Sequence, residues 1–260
     1  MFQICIYVGE YEHIIILPYF SYQEIKRFEK LSEIWDKIHT KTDCKFVFLL
    51  VGRWDSHQLD TRKITSNLKN FGNIKKIVLS NPNVNLPKSS RHDLAKIMFV
   101  KTMTYINQYL SNAKGFALWL EADCIPTAKD WIFCLEKEWS KKTNTLLMGH
   151  YISYENELDY ERKSFPSHIN GVACYAKNII DIIPPKAFYD TYRSFDVFLY
   201  NYLCSKNLVN RIIKSNLWEH RLDFDCEPVE ITKEVPQNKK ILHGCKDRES
   251  FDFHLKKLLQ

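Results

Sequence analysis

The chain has 260 residues, of which 45% are hydrophobic and 14% aromatic, enough for one large packed core and too apolar for a disordered protein. Its formal net charge of +6 arises from interleaved charges of both signs. That balance suits an anionic small molecule or peripheral contact with an anionic membrane surface, and it is too weak to signal nucleic acid. Seven glycines, no two closer than 20 residues, exclude a Walker A loop and a G-x-G-x-x-G dinucleotide turn, since both need clustered glycines for backbone amides to approach phosphate. The eight cysteines form no C-x-x-C pair, and several, such as Cys5 and Cys204, sit in apolar runs. They read as buried thiols in a reducing compartment. Met1 to Val8 is apolar but short, lacks a basic n-region and soon meets Glu10 and Glu12, so it does not read as a signal peptide. No apolar stretch approaches the roughly 20 residues of a membrane helix. The expected location is the cytoplasm, with contact at the inner face of a membrane open.

In chain order, Phe2 to Val8 and His13 to Phe20 read as buried strands. Ser21 with Glu24 forms a capping box that opens a helix to about Thr40. Lys45 to Val51 is a core strand, Thr61 to Phe71 a helix and Lys75 to Leu79 a strand. After a loop at Asn81 to Pro87, Ser90 caps a long helix with Leu94, Ile97, Met98, Met103, Ile106 and Leu110 at helical spacing. Gly115 to Leu120 is a strand, Asp130 to Lys141 a helix and Leu146 to His150 a strand. This alternation predicts an α/β fold with a mostly parallel central sheet flanked by helices. The second half is less regular: a polar loop from Tyr151 to Pro166, a strand at His168 to Tyr175, mainly helix from Ala187 to Lys206, and a mixed segment from Arg221 to Glu230. Ile241 to Asp247 and an amphipathic helix to Leu259 complete the chain.

Ligand chemistry in such sheets gathers beyond the C-terminal ends of strands. Leu118-Trp119-Leu120 runs into Glu121-Ala122-Asp123 at such an end, with Pro126 following. Two carboxylates one residue apart there can hold a hard divalent cation, which bridges phosphates and neutralises a departing diphosphate. In this arrangement the chain resembles the GT-A glycosyltransferases, whose D-x-D motif ends a central strand; here Glu-Ala-Asp takes its place. The resemblance implies one GT-A (Rossmann-like) domain, with a nucleotide-sugar-binding half at 1–125 and an irregular acceptor-binding half with a metal-binding tail at 126–260. It makes Asp123 a ligand of Mn2+ or Mg2+ and places Glu121 on the donor ribose or a metal-bound water.

His243-Gly244-Cys245-Lys246 resembles the C-terminal motif of several GT-A families in which a histidine completes the metal shell and a lysine meets the diphosphate. That implies His243 as second ligand and Lys246 as phosphate contact. Around His168 to Tyr175 the resemblance places the donor or acceptor sugar beside His168, Asn170 and Gly171. In Ser194-Phe195-Asp196 it makes Asp196 the base that deprotonates the acceptor hydroxyl, so that transfer inverts the anomeric carbon; Asp196 also suits a helix cap. Donor contacts are expected from Arg91 and Lys96, from Tyr19 stacking on the base and from Asp55 on the base or ribose. The expected partners are a nucleotide diphosphate sugar and a glycan or lipid-linked hydroxyl. Two rivals stand beside this reading: a sugar-nucleotide pyrophosphorylase, whose glycine-rich N-terminal loop is missing between Phe2 and Lys26, and a non-catalytic carbohydrate-binding protein.

Overall fold

The computed structural model describes residues 13–39, 46–56, 58–80, 91–153, 166–189, 191, 193–221, 234–245 and 248–259. The strand expected at Phe2 to Val8, the loop at Asn81 to Pro87, most of the Tyr151 to Pro166 loop and nearly all of the Arg221 to Glu230 segment lie outside them. The sheet is built on β1 (His13–Tyr19) and β2 (Phe46–Gly52), both buried along their whole length. Unbroken Ile, Leu, Val and Phe runs demand cover on both faces, and alternation supplies two cores. Ile15, Leu17, Phe46 and Phe48 pack on one side, and Ile14, Ile16, Val47 and Leu49 on the other.

Beyond β2 lies β3 (Gly72–Val78), a half-exposed edge strand carrying Lys75 and Lys76, charges that discourage pairing with another chain. On the other side of β1 come β4 (Ala117–Trp119), β7 (His168–Tyr175), β6 (Leu147–Ile152) and β8 (Ile212–Lys214), giving the order β3-β2-β1-β4-β7-β6-β8. Pairing is parallel except where β7 meets β4 and β6, so β7 runs against the other strands. A smaller sheet joins β5 (Ile125–Pro126), β10 (Ile241–His243) and β9 (Trp218–His220). It carries the tail back to the end of β4.

Helices cover both faces. The Ser21–Glu24 capping box is present at α1 (Tyr22–Glu33). The single helix expected to reach Thr40 breaks at Ile34, where φ −108° and ψ 10° leave the helical range, and α2 (Trp35–Ile38) follows. That break drops Trp35 into the core, edge-on to Phe48 at 5.1 Å and Trp131 at 5.8 Å. Next come α3 (Arg62–Leu68), α4 (Arg91–Tyr109), α5 (Trp131–Trp139), α6 (Ile179–Ile182), α7 (Pro185–Tyr189), α8 (Phe195–Ser205) and α9 (Arg248–Lys257). Phe99 of α4 stacks on Phe195 of α8 at 4.5 Å and meets Tyr175 of β7 at 4.9 Å, which fixes the start of α8 against the sheet. Among the described residues no helix is long and apolar enough to cross a membrane.

His13 opens β1 in an apolar setting, stacked on Phe116 at 4.2 Å. Glu136 lies 3.8 Å away, beyond hydrogen-bond range, and burial pushes the His13 pKa from 6.5 down to about 4. Across that interval the unfolded chain binds a proton that the folded chain does not, so stability falls as pH drops from 6.5 to about 4 and levels off below it. Urea unfolding measured across this range should show a shallower pH slope for His13→Phe than for wild type. Equal slopes would remove His13 as the cause.

Candidate functional site

Leu120 extends β4 by one bond, its N–H donating to the Ile16 carbonyl at 3.0 Å. The chain then leaves the sheet at Glu121, and the Cys124 N–H closes a tight turn on the Glu121 carbonyl at 3.0 Å. From there β5 pairs antiparallel with β10, and the Cys245 N–H donates to the Asp123 carbonyl at 3.2 Å. These bonds set the tail beside the turn. His243 Nε2 stands 3.6 Å from Glu121 Oε2 and 3.6 Å from Asp123 Oδ1. Asp123 and His243 are buried, whereas the Glu121 side chain is 43% exposed and faces the cleft. Gly244 makes the approach possible: its φ is +101°, and a Cβ there would lie 2.1 Å from the Arg221 carbonyl oxygen.

Ligand atoms of Asp123, Cys124 and His243 all lie within 4.8 Å of one another. Burial, then the Asp123 and Glu121 carboxylates, push the Cys124 thiol well above its ordinary pKa. Glu121 Oε2 stands beside this group, 3.6 Å from His243 Nε2. Carboxylates together with an imidazole can hold a divalent cation. Separations of 3.6 Å exceed a hydrogen bond and fit side chains arranged around a shared cation.

A cleft of about 680 Å³ opens beside this group, between the end of β1, the start of α1, the first half of α4 and the acidic turn. Arg27 and Arg53 line it together with Phe20, Glu121, Asp123 and Phe195. The Arg53 guanidinium lies 4.7 Å over the Phe20 ring and is gripped by both Asp55 oxygens at 2.6 Å. Glu24 also lines the cleft; burial raises its pKa, opposed by hydrogen bonds from Phe20 and Ser21 and reinforced by Glu121.

Next to Phe195, Asp196 sits in the first turn of α8 beside β7. Its Oδ1 accepts from the Val197 N–H at 2.9 Å, and its Oδ2 lies 3.7 Å from His168 Nε2. A Cβ on Gly171 would come within 2.9 Å of the Phe195 ring and 3.6 Å of Asp196 Oδ2, so Gly171 lets α8 close on the strand. Asn170 Oδ1 accepts from the Val172 N–H at 2.9 Å. Tyr175 donates to the Gly171 carbonyl at 2.6 Å; burial, with Asp196 and Glu121 adding, pushes its phenol far upward.

The sequence expectations therefore divide. Asp123, Glu121 and His243 meet, and His168, Asn170, Gly171 and Asp196 form a neighbouring group. Tyr19 is corrected: it is fully buried, its hydroxyl under Gly52, because strand alternation turns Pro18 and Phe20 to the cleft and Tyr19 to the core. Burial raises its pKa to about 12. Lys96 is also corrected: it is buried away from the cleft lining and donates to the Thr191 carbonyl. Asp55 holds Arg53, and it is Arg53 that lines the cleft. Lys246 lies outside the described residues, as does the side chain of Arg91. Sequence reasoning missed the cleft residues Phe20, Arg27 and Arg53. Arg53 stands just past the end of β2, the same strand-end rule that singled out Glu121.

No family model matches the chain, and no curated protein matches it by sequence. Solved structures do. A galactosyltransferase, LgtC, in complex with donor and acceptor sugar analogs aligns over 95% of this chain and 94% of its own, with a TM-score of 0.53 and 11% identity. An active-site mutant of LgtC aligns over 95% of each chain with a TM-score of 0.52 and 10% identity. The bifunctional glycosyltransferase WbbM aligns over 96% of this chain and 50% of its own, with a TM-score of 0.55 and 8% identity. The chain, with its seven-stranded sheet and small second sheet, therefore shares its fold with these glycosyltransferases.

Proposed function

We propose that this protein is a metal-dependent glycosyltransferase that moves a sugar from a nucleotide diphosphate donor to a glycan or lipid-linked hydroxyl. The observation that carries the reading is that buried His243 meets Asp123 and Glu121, two acids that line a 680 Å³ cleft also presenting Arg27 and Arg53. The fold shared with LgtC and WbbM supports it.

In this reading the donor nucleotide occupies the cleft, with its base near Phe20 and its phosphates toward Arg27, Arg53 and the acids. Guanidinium groups suit phosphate by charge and by paired hydrogen bonds. Asp123 and His243 would hold Mn2+ or Mg2+, which neutralises negative charge on a departing diphosphate. Glu121, more exposed, meets the ribose or a metal-bound water. The acceptor lies across Phe195, toward His168, Asn170 and Gly171. There Asp196 takes the hydroxyl proton as the acceptor oxygen attacks the anomeric carbon, and the bond to the diphosphate breaks. The Asp196 side chain, 17% exposed, next to an imidazole and in the first turn of α8, supports that reading.

With a panel of nucleotide diphosphate sugars, turnover should require Mn2+ or Mg2+, stop on chelation, and drop by about 10²–10³-fold in Asp123→Ala with the fold intact. Turnover indifferent to chelator would contradict the metal assignment. A requirement for pyrophosphate would point to a pyrophosphorylase, and binding without turnover to a lectin-like protein. Asp196→Asn should lower kcat by about 10²–10⁴-fold while donor affinity holds. NMR of the first product formed should show the inverted anomer. A retained anomer, or an active Asp196→Asn enzyme, would leave Asp196 as an acid of the first turn of α8, whose N-cap is Ser194.

A further inference from the structure

β9 and β10 run parallel in register, with His220 directly opposite His243. Their Nδ1 atoms are 2.9 Å apart and their ring centroids 4.7 Å apart. Two imidazole nitrogens at that distance must share one proton: one donates and the other accepts. The other nitrogen of His243, Nε2, is turned to Glu121 and Asp123 at 3.6 Å each. A cation there needs the Nε2 lone pair, which places the His243 proton on Nδ1 and makes His220 the acceptor.

We infer that His220 is a positioning residue for the cation site: its Nδ1 accepts the Nδ1 proton of His243, holding that ring with Nε2 directed at Asp123 and Glu121. The inference rests on the metal reading of Asp123 and His243 and adds a residue to it. A ligating histidine whose other nitrogen is hydrogen-bonded has its tautomer and orientation set in advance, and loss of such a partner typically costs about 10–100-fold in metal affinity. The usual partner is a carboxylate, a carbonyl or water; here it is a neutral imidazole on the adjacent strand. The surroundings hold that imidazole in turn. His150 of β6 packs against His220 with centroids 5.9 Å apart, and the Arg221 N–H donates to the His243 carbonyl at 3.0 Å.

Two substitutions separate the hydrogen bond from the packing. His220→Phe keeps a flat ring beside His150 and removes the acceptor. His220→Asn places a carbonyl oxygen where Nδ1 stands. Mn2+ titrations of purified protein, read by the EPR signal of free Mn2+, should show binding about 10–100-fold weaker in His220→Phe, with most of the loss recovered in His220→Asn. Thermal melts in chelator should stay close to wild type for both. With diamagnetic Mg2+ bound, long-range 1H–15N spectra of the wild type should show His243 protonated at Nδ1. Equal Mn2+ affinity in wild type and His220→Phe, equal weakening in both variants, or an Nε2-protonated His243 in the Mg2+-loaded wild type would overturn the role of His220. A wild type with no saturable Mn2+ binding, or with binding unchanged in Asp123→Ala, would overturn the metal reading together with it.

Discussion

The site depends on one contact between distant parts of the chain: the pairing of β5 with β10, locked by the Cys245 N–H on the Asp123 carbonyl. Without it, Glu121 and Asp123 are two acids at the end of a strand, and His243 is a histidine in a tail. With it, a buried imidazole faces both carboxylates, Asp123 buried beside it and Glu121 open to the cleft. Several features serve that contact. Gly244 adopts a φ that a side chain would strain, directly over the Arg221 carbonyl. Thr127 donates from N–H and hydroxyl to the Lys240 and Lys239 carbonyls at 2.9 and 2.7 Å, extending the strap beyond β5. Trp218, fully buried, anchors the neighbouring strand.

Around that contact the fold arranges the cleft and, beside it, the group on β7 and α8. Strand alternation in β1 sends Pro18 and Phe20 to the cleft and Tyr19 to the core, and β2 ends in Arg53, held over Phe20 by Asp55. The cleft therefore combines an aromatic floor, guanidinium groups and acids, a mixture suited to an anionic ligand that arrives with a cation. Phe195 lines the cleft and also meets Gly171 of β7, and its stack on Phe99 ties it to α4. Apolar packing thus sets the spacing between the cleft and the residues of β7 and α8, while hydrogen bonds orient the individual side chains.

The long elements were legible because their patterns are strong. HIIILPY and FVFLLVG are buried runs that only a covered sheet accommodates, and the Ser21–Glu24 box marks its helix start to the residue. The acids and His243 were legible as residue types in the right setting. What failed did so for physical reasons. Tyr19 was one position out of phase, and in a strand one position is the difference between cleft and core. Asp55 reads as a donor contact while Arg53 lines the cleft, because their ion pair is invisible until two residues of spacing become a distance. β8 and β9, three residues each, are too short to show periodicity. With β9 unseen, His220 had no signal, since its meaning comes only from the strand across from it.

The most direct measurement of the central claim is pulsed EPR of Mn2+ bound to the protein labelled with 15N-histidine. One Mn2+ per chain is expected, coupled to a single imidazole nitrogen, with the coupling absent in His243→Ala. Bound Mn2+ that shows no imidazole coupling in the wild type, or the same coupling after His243 is removed, would contradict it.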